Sequence, residues 1–444
     1  MRKYQASDAS YLLAFFAVII GTGSLLLSLP LAWEGSRANP GPLRYVDALF
    51  TSTSAVCVTG LSSVDTAGYS RFGQTVIMLL IQVGGLGIIS FTSLLLTIPG
   101  RRLPLRRLKT IQSFYVEGVE YEPVKIVRSI MLFTFGIEAA GAAVLYVLFS
   151  AAGVDDAAFA AVFHAVSAFC NAGFSVFSSN LEGYAENVPV LAAVGALIVL
   201  GGLGFIVIQD IERRCRGKRK RLSYHTKVVL GMTGFLILSG ALAFFLLERS
   251  RAYAALSGPV AVANALFQSI TPRTAGFDSV LQSSLSQPSK ALTILLMFIG
   301  GSPGSIAGGI KVTTAFVVAA VMMRRPDSHG DVTVFKRRLS ARTMNDAVVY
   351  FLKATAVLAV AAGALSLIEG LRGVDFSSLI FETVSAFGTV GLSLGITGSL
   401  SDAGKLVIIA TMFAGRVGLI ALAFPALRRN EAAIVYPEGS ILLG

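Results

Sequence analysis

The sequence predicts an all-α polytopic membrane protein: four tandem units of membrane helix, pore loop and membrane helix around one pseudo-fourfold pore, with eight transmembrane helices. Two observations predict this class. The 444-residue chain is 54% hydrophobic and 14% charged, whereas soluble domains are roughly 25% charged. A short glycine-bearing segment also occurs four times at wide, nearly even intervals, which indicates four copies of one membrane unit.

The four segments each contain one glycine and follow a phenylalanine at a similar distance. The glycines are separated by 113, 103 and 115 residues, and the phenylalanine opens a short apolar run nine or ten residues before each. The segments are Val58, Thr59, Gly60 and Leu61; Asn171, Ala172, Gly173 and Phe174; Thr274, Ala275, Gly276 and Phe277; and Thr389, Val390, Gly391 and Leu392, after Phe50, Phe163, Phe267 and Phe381.

The first unit sets the pattern of elements. Residues 11–32 carry no charge and are long enough to cross about 30 Å of hydrocarbon as a helix. Residues 43–56 are apolar but too short to cross, and residues 72–98 cross again. A half-length helix followed by irregular backbone is tolerated at membrane depth only where protein buries it or it lines a cavity, so we expect a re-entrant loop.

The same order recurs in the other three units, and residues 431–444 form a cytoplasmic tail. The predicted helices are 126–151, 159–169 and 188–211; 226–247, 260–270 and 291–323; and 347–368, 376–387 and 406–427. The units therefore span residues 1–110, 111–222, 223–340 and 341–430.

Lysine and arginine gather in the loop after the second span of each unit, which places these loops and both termini in the cytoplasm of a multi-pass cytoplasmic-membrane protein. A net charge of +12 would favour a nucleic-acid partner in a soluble protein, but here it reflects topology. The basic residues are Arg101, Arg102, Arg106, Arg107 and Lys109; Arg213, Arg214, Arg216, Lys218, Arg219, Lys220 and Arg221; Arg324, Arg325, Lys336, Arg337 and Arg338; and Arg428 and Arg429.

The glycine segments have the features of a filter for a monovalent cation. A ring of backbone carbonyls can replace the water around such an ion, and glycine permits the backbone angles that aim the carbonyls at one axis. The half-helices would direct the negative ends of their dipoles to the same centre. No segment contains an acid, which argues against a divalent carboxylate ring, so we predict potassium binding at Gly60, Gly173, Gly276 and Gly391.

The third segment departs from the others. One residue fewer separates Phe267 from Gly276, and Pro272 and Arg273 precede the segment. Arg273 either points behind the filter to an acid or to carbonyls, or contributes positive charge near the ion path.

A glycine-rich stretch interrupts the span 291–323 and is the candidate gate, because five glycines and a proline in ten residues cannot remain helical. Glycine clusters at residues 84–87, 201–204 and 415–418 follow the other filter glycines at a similar distance, so we expect all four at similar depth. The stretch is Gly300, Gly301, Ser302, Pro303, Gly304, Ser305, Ile306, Ala307, Gly308 and Gly309.

Two basic residues accompany this stretch. Arg416 lies inside an apolar span, where a charge is a functional candidate; it either bonds the carbonyls freed by the break or pairs with Glu138 or Glu382. Lys311 poses the same choice, and snorkelling toward the cytoplasm explains it more simply.

Other chemistry has little support. Cys57 and Cys170 each stand three residues before a repeat glycine, so small buried thiols are expected, with a disulfide as the alternative. These two and Cys215 have no metal-ligand spacing, and neither have His164, His225 and His329. We expect no enzyme activity and no covalently bound cofactor.

These segments, above all residues 269–277 and 389–393, resemble the Trk, Ktr and HKT potassium transporter superfamily over essentially the whole chain. The resemblance implies four pore units in one subunit, and an intramembrane loop below the filter near an arginine of the fourth unit. In that superfamily a glycine at the first filter position accompanies potassium selectivity and a serine accompanies sodium transport; Gly60 matches the potassium case.

The Ktr branch is the most similar, because the first span begins near residue 11 and the chain ends in an apolar tail, residues 436–444. The chain has no nucleotide-binding pattern, and the resemblance implies a separate cytoplasmic ring of RCK-type nucleotide-binding domains and a homodimer among membrane lipids, with one pore per subunit.

We therefore predict potassium-selective uptake through a channel-like pore. The alternative is a symporter that couples potassium to sodium or protons. That mechanism favours inverted repeats and intramembrane acids, whereas these repeats are parallel and only Glu138 and Glu382 qualify.

Overall fold

The computed structural model describes residues 8–35, 41–97, 123–217, 221–324, 331–335 and 337–418. Much of the predicted basic loops lies outside these ranges, as do the tail and the end of the predicted span 406–427. The described chain is mainly helical, with fourteen α-helices. A two-stranded antiparallel sheet pairs Val332 with Leu339 before the fourth quarter of the chain.

Each quarter of the chain begins with a long helix, continues with a short helix and an irregular segment, and resumes as a helix. The elements are α1 (Asp8–Leu27), α2 (Tyr45–Val56) and α3 (Arg71–Thr97); α4 (Pro123–Ala151), α5 (Ala157–Phe169), α6 (Val188–Leu203) and α7 (Phe205–Cys215); α8 (Tyr224–Glu248), α9 (Gly258–Ile270), α10 (Gln287–Phe298) and α11 (Val312–Met323); β1 (Val332–Val334) and β2 (Arg337–Leu339); and α12 (Ala341–Glu369), α13 (Phe376–Gly388) and α14 (Asp402–Phe413), followed by a π-helix (Ala414–Gly418).

The predicted continuous span 188–211 is wrong. The helix breaks at Gly204, and α6 and α7 meet at 99°. Gly204 has a φ of +83°, which no right-handed helix contains. A Cβ atom there would lie 3.0 Å from the carbonyl oxygen of Pro303, so the break follows a tertiary contact with the third unit.

Within the described residues, three helices are long and apolar enough to cross a membrane by length and composition alone. They are Val127–Ala151, Tyr224–Glu248 and Ala341–Arg372, and the bent pair Val188–Leu203 and Phe205–Cys215 makes a fourth if it counts as one span. The predicted total of eight spans stays a prediction.

Buried phenylalanines anchor the short helices. Phe50, Phe163, Phe267 and Phe381, which the sequence pattern singled out, are at most 2% exposed, and burying such a side chain is worth about 1.5–3 kcal/mol. The long helices instead expose large apolar side chains, as lipid contact requires. Examples more than 60% exposed are Val147, Phe235, Leu246, Val360 and Leu367.

Buried acids fasten the start of a helix to another part of the structure. Glu248 accepts hydrogen bonds from the backbone and hydroxyl of Ser286, before α10. Glu369 does the same for Ser401, before α14. In the first quarter, Asp47 of α2 pairs with Lys405 of α14 at 2.6 Å. The first two contacts fix the starts of α10 and α14, and the third ties the short helix α2 to α14.

Candidate functional site

The four predicted glycines lie next to one another in a closed order. A Cβ atom on Gly60 would lie under 3.0 Å from the carbonyl oxygen of Ala172, and one on Gly173 equally close to that of Ala275. The same holds for Gly276 and Val390, and for Gly391 and Thr59, which closes the ring. Each glycine therefore faces the carbonyl that precedes the next unit's glycine.

Backbone conformation explains why these positions are glycine. The φ angles of Gly60, Gly173, Gly276 and Gly391 are +94°, +69°, +73° and +101°. Other residues rarely adopt such values, and the neighbouring carbonyl leaves no room for a side chain. Both conditions act at every position of the ring.

The residue two positions before each glycine also has a left-handed backbone conformation, which sequence reasoning missed. Val58, Asn171, Thr274 and Thr389 have φ angles of +55°, +57°, +72° and +50°. Residues other than glycine, and β-branched ones above all, are strained there by about 1–3 kcal/mol. In each segment one residue with an ordinary, negative φ angle separates the two left-handed residues. This alternation lets successive peptide groups point the same way, as in backbone nests.

A hydroxyl from the short helix supports each segment, in two different ways. Ser54 and Ser385 accept hydrogen bonds from the backbone N–H of Gly60 and Gly391, at 3.0 and 3.1 Å. Ser167 and Thr271 instead donate to the carbonyls that follow the other two glycines, those of Phe174 and Phe277, each at 2.7 Å. The first and fourth segments are thus held alike, and so are the second and third.

A cavity of about 530 Å³ opens on one side of the ring. Gly60 and Gly173 are among its lining residues, and the lining carries one carboxylate, that of Asp65. Most of the other polar groups are hydroxyls. They belong to Ser62, Ser63, Thr66, Ser175, Ser178 and Ser399, with the amide of Asn180.

The predicted glycine clusters pack beneath the ring. A Cβ atom on Gly84 would lie under 3.0 Å from the carbonyl oxygen of Val56, at the end of α2. A Cβ atom on Gly201 would lie equally close to the carbonyl oxygen of Phe169, at the end of α5. One on Gly415 would lie equally close to that of Phe387, near the end of α13. These three clusters therefore lie at equivalent depth in their units, as the spacing predicts.

Residues 300–309 form the interruption between α10 and α11. The backbone N–H of Gly300 donates to the carbonyl of Ile310 at 2.8 Å, and that of Val312 to the carbonyl of Gly301 at 3.0 Å. The stretch thereby folds back on itself beside the filter segments, because Cβ atoms on Gly300 and Gly308 would meet the side chains of Thr274 and Thr389. We call residues 300–309 the intramembrane loop, after the position that the family resemblance implies.

The intramembrane loop is also bonded to the break in the second unit. The N–H of Ser302 donates to the carbonyl of Gly202 at 3.0 Å, and the N–H of Phe205 donates to the carbonyl of Gly304 at 3.2 Å. Two interrupted helices therefore provide hydrogen-bond partners for some of each other's backbone N–H and carbonyl groups.

Arg416 is 5% exposed and bonds two carbonyls. One guanidinium nitrogen donates to Ile306 of the intramembrane loop and the other to Gly84 at 2.8 Å. The alternative ion pair is not formed, since Glu138 accepts from Gln82 and Cys170. Glu382 accepts from Ser393 and Thr397.

The other two basic candidates also bond the intramembrane loop. Lys311 donates its Nζ to the carbonyl of Ala307, which is the bond to a loop carbonyl that the first of its two alternatives describes. Arg273 has one guanidinium nitrogen 3.4 Å from the carbonyl oxygen of Gly300 and 3.5 Å from the hydroxyl of Thr233. This agrees with the first of its two alternatives.

The three cysteines are free thiols, with Cys57 and Cys170 buried and Cys215 exposed. The disulfide alternative is therefore wrong. In the described part of the chain, no three His, Cys, Asp or Glu residues are grouped as metal ligands.

Residues 24–430 match the family model described as TrkH, cation transport protein. The chain belongs to the TrkH family of cation transport proteins. The Ktr system potassium uptake protein B of Bacillus subtilis is 36% identical over 97% of this chain and 95% of its own. The potassium/sodium uptake protein NtpJ of Enterococcus hirae is 36% identical over 100% and 98%.

The fold agrees with a solved TrkH-family structure. The potassium transporter TrkH from Vibrio parahaemolyticus superposes with a TM-score of 0.73 at 20% identity, over 97% of this chain and 87% of that one. The family match and the Ktr relatives confirm the predicted superfamily and its Ktr branch.

Proposed function

We propose that this chain takes up potassium across the cytoplasmic membrane through a channel-like pore. The observation that carries the proposal is the closed ring of Gly60, Gly173, Gly276 and Gly391, each against the carbonyl before the next glycine. The four units surround the pore, and the ring is its selectivity filter. The relatives' names as potassium uptake proteins support the choice of ion.

Potassium would bind as a nearly bare ion. Carbonyl oxygens of Thr59, Ala172, Ala275 and Val390 would replace its water, and the carboxyl ends of α2, α5, α9 and α13 would add the negative ends of their dipoles. Asp65 in the outer cavity would raise the local cation concentration.

The intramembrane loop would close the pore below the ring. Arg416 would hold it there through Ile306, and Lys311 through Ala307, and both charges would oppose a cation in the path. Opening requires the loop to leave Thr274 and Thr389. The loop is hydrogen-bonded to Gly202 and Phe205 of the second unit, so a movement of α7 would displace it.

Control of this gate would come from a separate cytoplasmic RCK-type nucleotide-binding ring. The relatives are named as components of a Ktr system, and a multi-component system agrees with a membrane subunit whose sequence shows no nucleotide-binding pattern. The basic loops would face that ring, with both termini in the cytoplasm. Two copies of the chain would form a homodimer, each with its own pore.

Symport with sodium or protons is the second candidate, favoured by the relative named a potassium/sodium uptake protein. Rubidium uptake into proteoliposomes separates the two. A channel-like pore follows the membrane potential alone, whereas a symporter stops when sodium and the proton gradient are removed.

The proposed function is tested by potassium-limited growth of a strain without potassium uptake. Wild type should restore growth, whereas Gly391→Ser should fail or admit sodium, since its side chain meets the Thr59 carbonyl. Gly136→Ser is the matched control, because no atom lies within 4 Å of a Cβ there. Equal growth with wild type and Gly391→Ser would contradict the filter.

A further inference from the structure

The residue that follows each anchoring phenylalanine is polar and buried in all four short helices. These residues are Thr51, His164, Gln268 and Glu382, and none is exposed. A buried polar side chain is costly unless it is hydrogen-bonded, so the partners of these four residues indicate what they hold in place.

In the second and fourth units the partner is the serine two residues after the filter glycine. Nδ1 of His164 donates to the carbonyl of Ala160 at 2.7 Å, so in the neutral ring Nε2 accepts from the hydroxyl of Ser175 at 2.8 Å. Glu382 accepts from the hydroxyl of Ser393 at 2.7 Å. A histidine and a carboxylate thus fill the same structural position.

The two serines also make the same second bond. Ser175 accepts from the backbone N–H of Phe177, and Ser393 from that of Gly395, each at 3.0 Å. Each serine therefore ties the outer end of its glycine segment both to the short helix behind it and to the turn beyond it. We call each side-chain pair, His164 with Ser175 and Glu382 with Ser393, an outer clamp.

The first and third units have no equivalent contact. Thr51 accepts from the hydroxyl of Tyr69 at 3.0 Å, and Gln268 exchanges amide hydrogen bonds with Gln282 at 2.8 and 3.1 Å. These partners lie nine and six residues past the filter glycines, outside the segments. The four units follow one another around the ring in chain order. The second and fourth units, and with them the two outer clamps, therefore lie on opposite sides of the ring.

We propose that His164 and Glu382 are positioning residues that fix the distance between the opposite outer ends of the second and fourth segments, and so set the discrimination between potassium and sodium. The inference rests on the proposed function of the ring. Sodium is the smaller ion, and a ring that cannot contract offers it poor coordination. Clamps on two opposite sides resist that contraction most directly.

The test uses Ser175→Ala and Ser393→Ala, which remove the clamp hydroxyls and leave His164 and Glu382 in the core. The full chain is reconstituted in liposomes, and rubidium uptake is measured against competing potassium or sodium. The readout is the inhibitory concentration of sodium divided by that of potassium. The number of folded molecules does not affect this ratio. Each variant should lower the ratio about 2- to 10-fold, the range of one net hydrogen bond, and the double variant further.

Two further variants separate positioning from folding. Glu382→Gln keeps a side-chain oxygen for Ser393 and should stay nearer the wild-type ratio than Ser393→Ala. Ser284→Ala removes an exposed hydroxyl bond of similar length, 2.7 Å to the carbonyl of Leu281, and should leave the ratio unchanged. A wild-type ratio in the double variant, with or without a lower maximum rate, overturns the inference. A wild type without discrimination overturns the proposed function itself.

Discussion

Arg416 donates a hydrogen bond to the carbonyl of Ile306, at the centre of the intramembrane loop. The loop belongs to the third unit and the arginine to the fourth. A buried guanidinium thus donates to a carbonyl that the broken helix leaves without a helical partner.

Replacing Arg416 by Gln should therefore raise rubidium flux several-fold in the absence of any regulatory subunit. The substitution leaves the carbonyls of Ile306 and Gly84 without their donor, which destabilises the closed position of the loop, and removes a charge that opposes cations. Arg251→Gln, at an exposed position, is the control. Flux at or below wild type, for equal amounts of folded protein, would count against the gate.

Deleting residues 303–305 should also raise flux and weaken its regulation. The deletion removes Gly304, whose carbonyl accepts from Phe205, and shortens the chain that must fill the space below Thr389. Flux measured with and without the regulatory subunit tests this expectation. A deletion variant that folds, transports at the wild-type rate and remains regulated would disprove it.

The buried pair of Lys405 and Asp47 should contribute strongly to stability. Lys405→Met leaves the Asp47 carboxylate buried with the hydroxyl of Ser63 as a hydrogen-bond donor, and breaking a buried pair costs about 3–5 kcal/mol. The free energy of unfolding in detergent measures the effect, with the exposed Lys227→Met as control. Adding Asp47→Asn should recover most of the loss; no recovery would show that charge is not the cause.

Asp278 predicts a pH-dependent stability. It lies in the loop two residues after Gly276, and burial together with the nearby Glu182 carboxylate raises its pKa well above the usual value. A raised pKa in the folded state favours the protonated acid, so stability is greatest below the ordinary value of about 4 and falls as the pH rises toward the raised one.

Asp278→Asn removes this dependence. The melting temperature of the variant minus that of wild type should therefore increase as the pH rises from about 4. Asp155→Asn, at an exposed position, is the control. A constant difference between Asp278→Asn and wild type across pH would contradict the raised pKa.

The meeting of the four glycines and the break at residues 300–309 could be predicted because glycine and proline leave a strong local signal. Arg416 could be predicted because a charge within an apolar span needs a partner, and broken helices supply carbonyls. The break at Gly204 could not, since residues 188–211 read as one apolar helix and the bend depends on Pro303 and Gly304 of another unit.

The left-handed residues before the glycines were missed for a related reason. Val58, Thr274 and Thr389 are β-branched and disfavour positive φ, so local preference points the wrong way. Their conformation is imposed by the hydroxyls, the helix ends and the ring around them. The outer clamps were also missed. Each links two residues that are eleven positions apart and meet only through tertiary structure, and one unit uses a histidine where the other uses a glutamate, so no shared sequence pattern marks the position.

The most direct test of the central claim is anomalous scattering from protein crystallised with rubidium or thallium in place of potassium. The account predicts a peak on the ring axis among the carbonyl oxygens of Thr59, Ala172, Ala275 and Val390, lost when excess potassium is added back. A ring without a peak, or an ion held by side chains elsewhere in the membrane region, would contradict it.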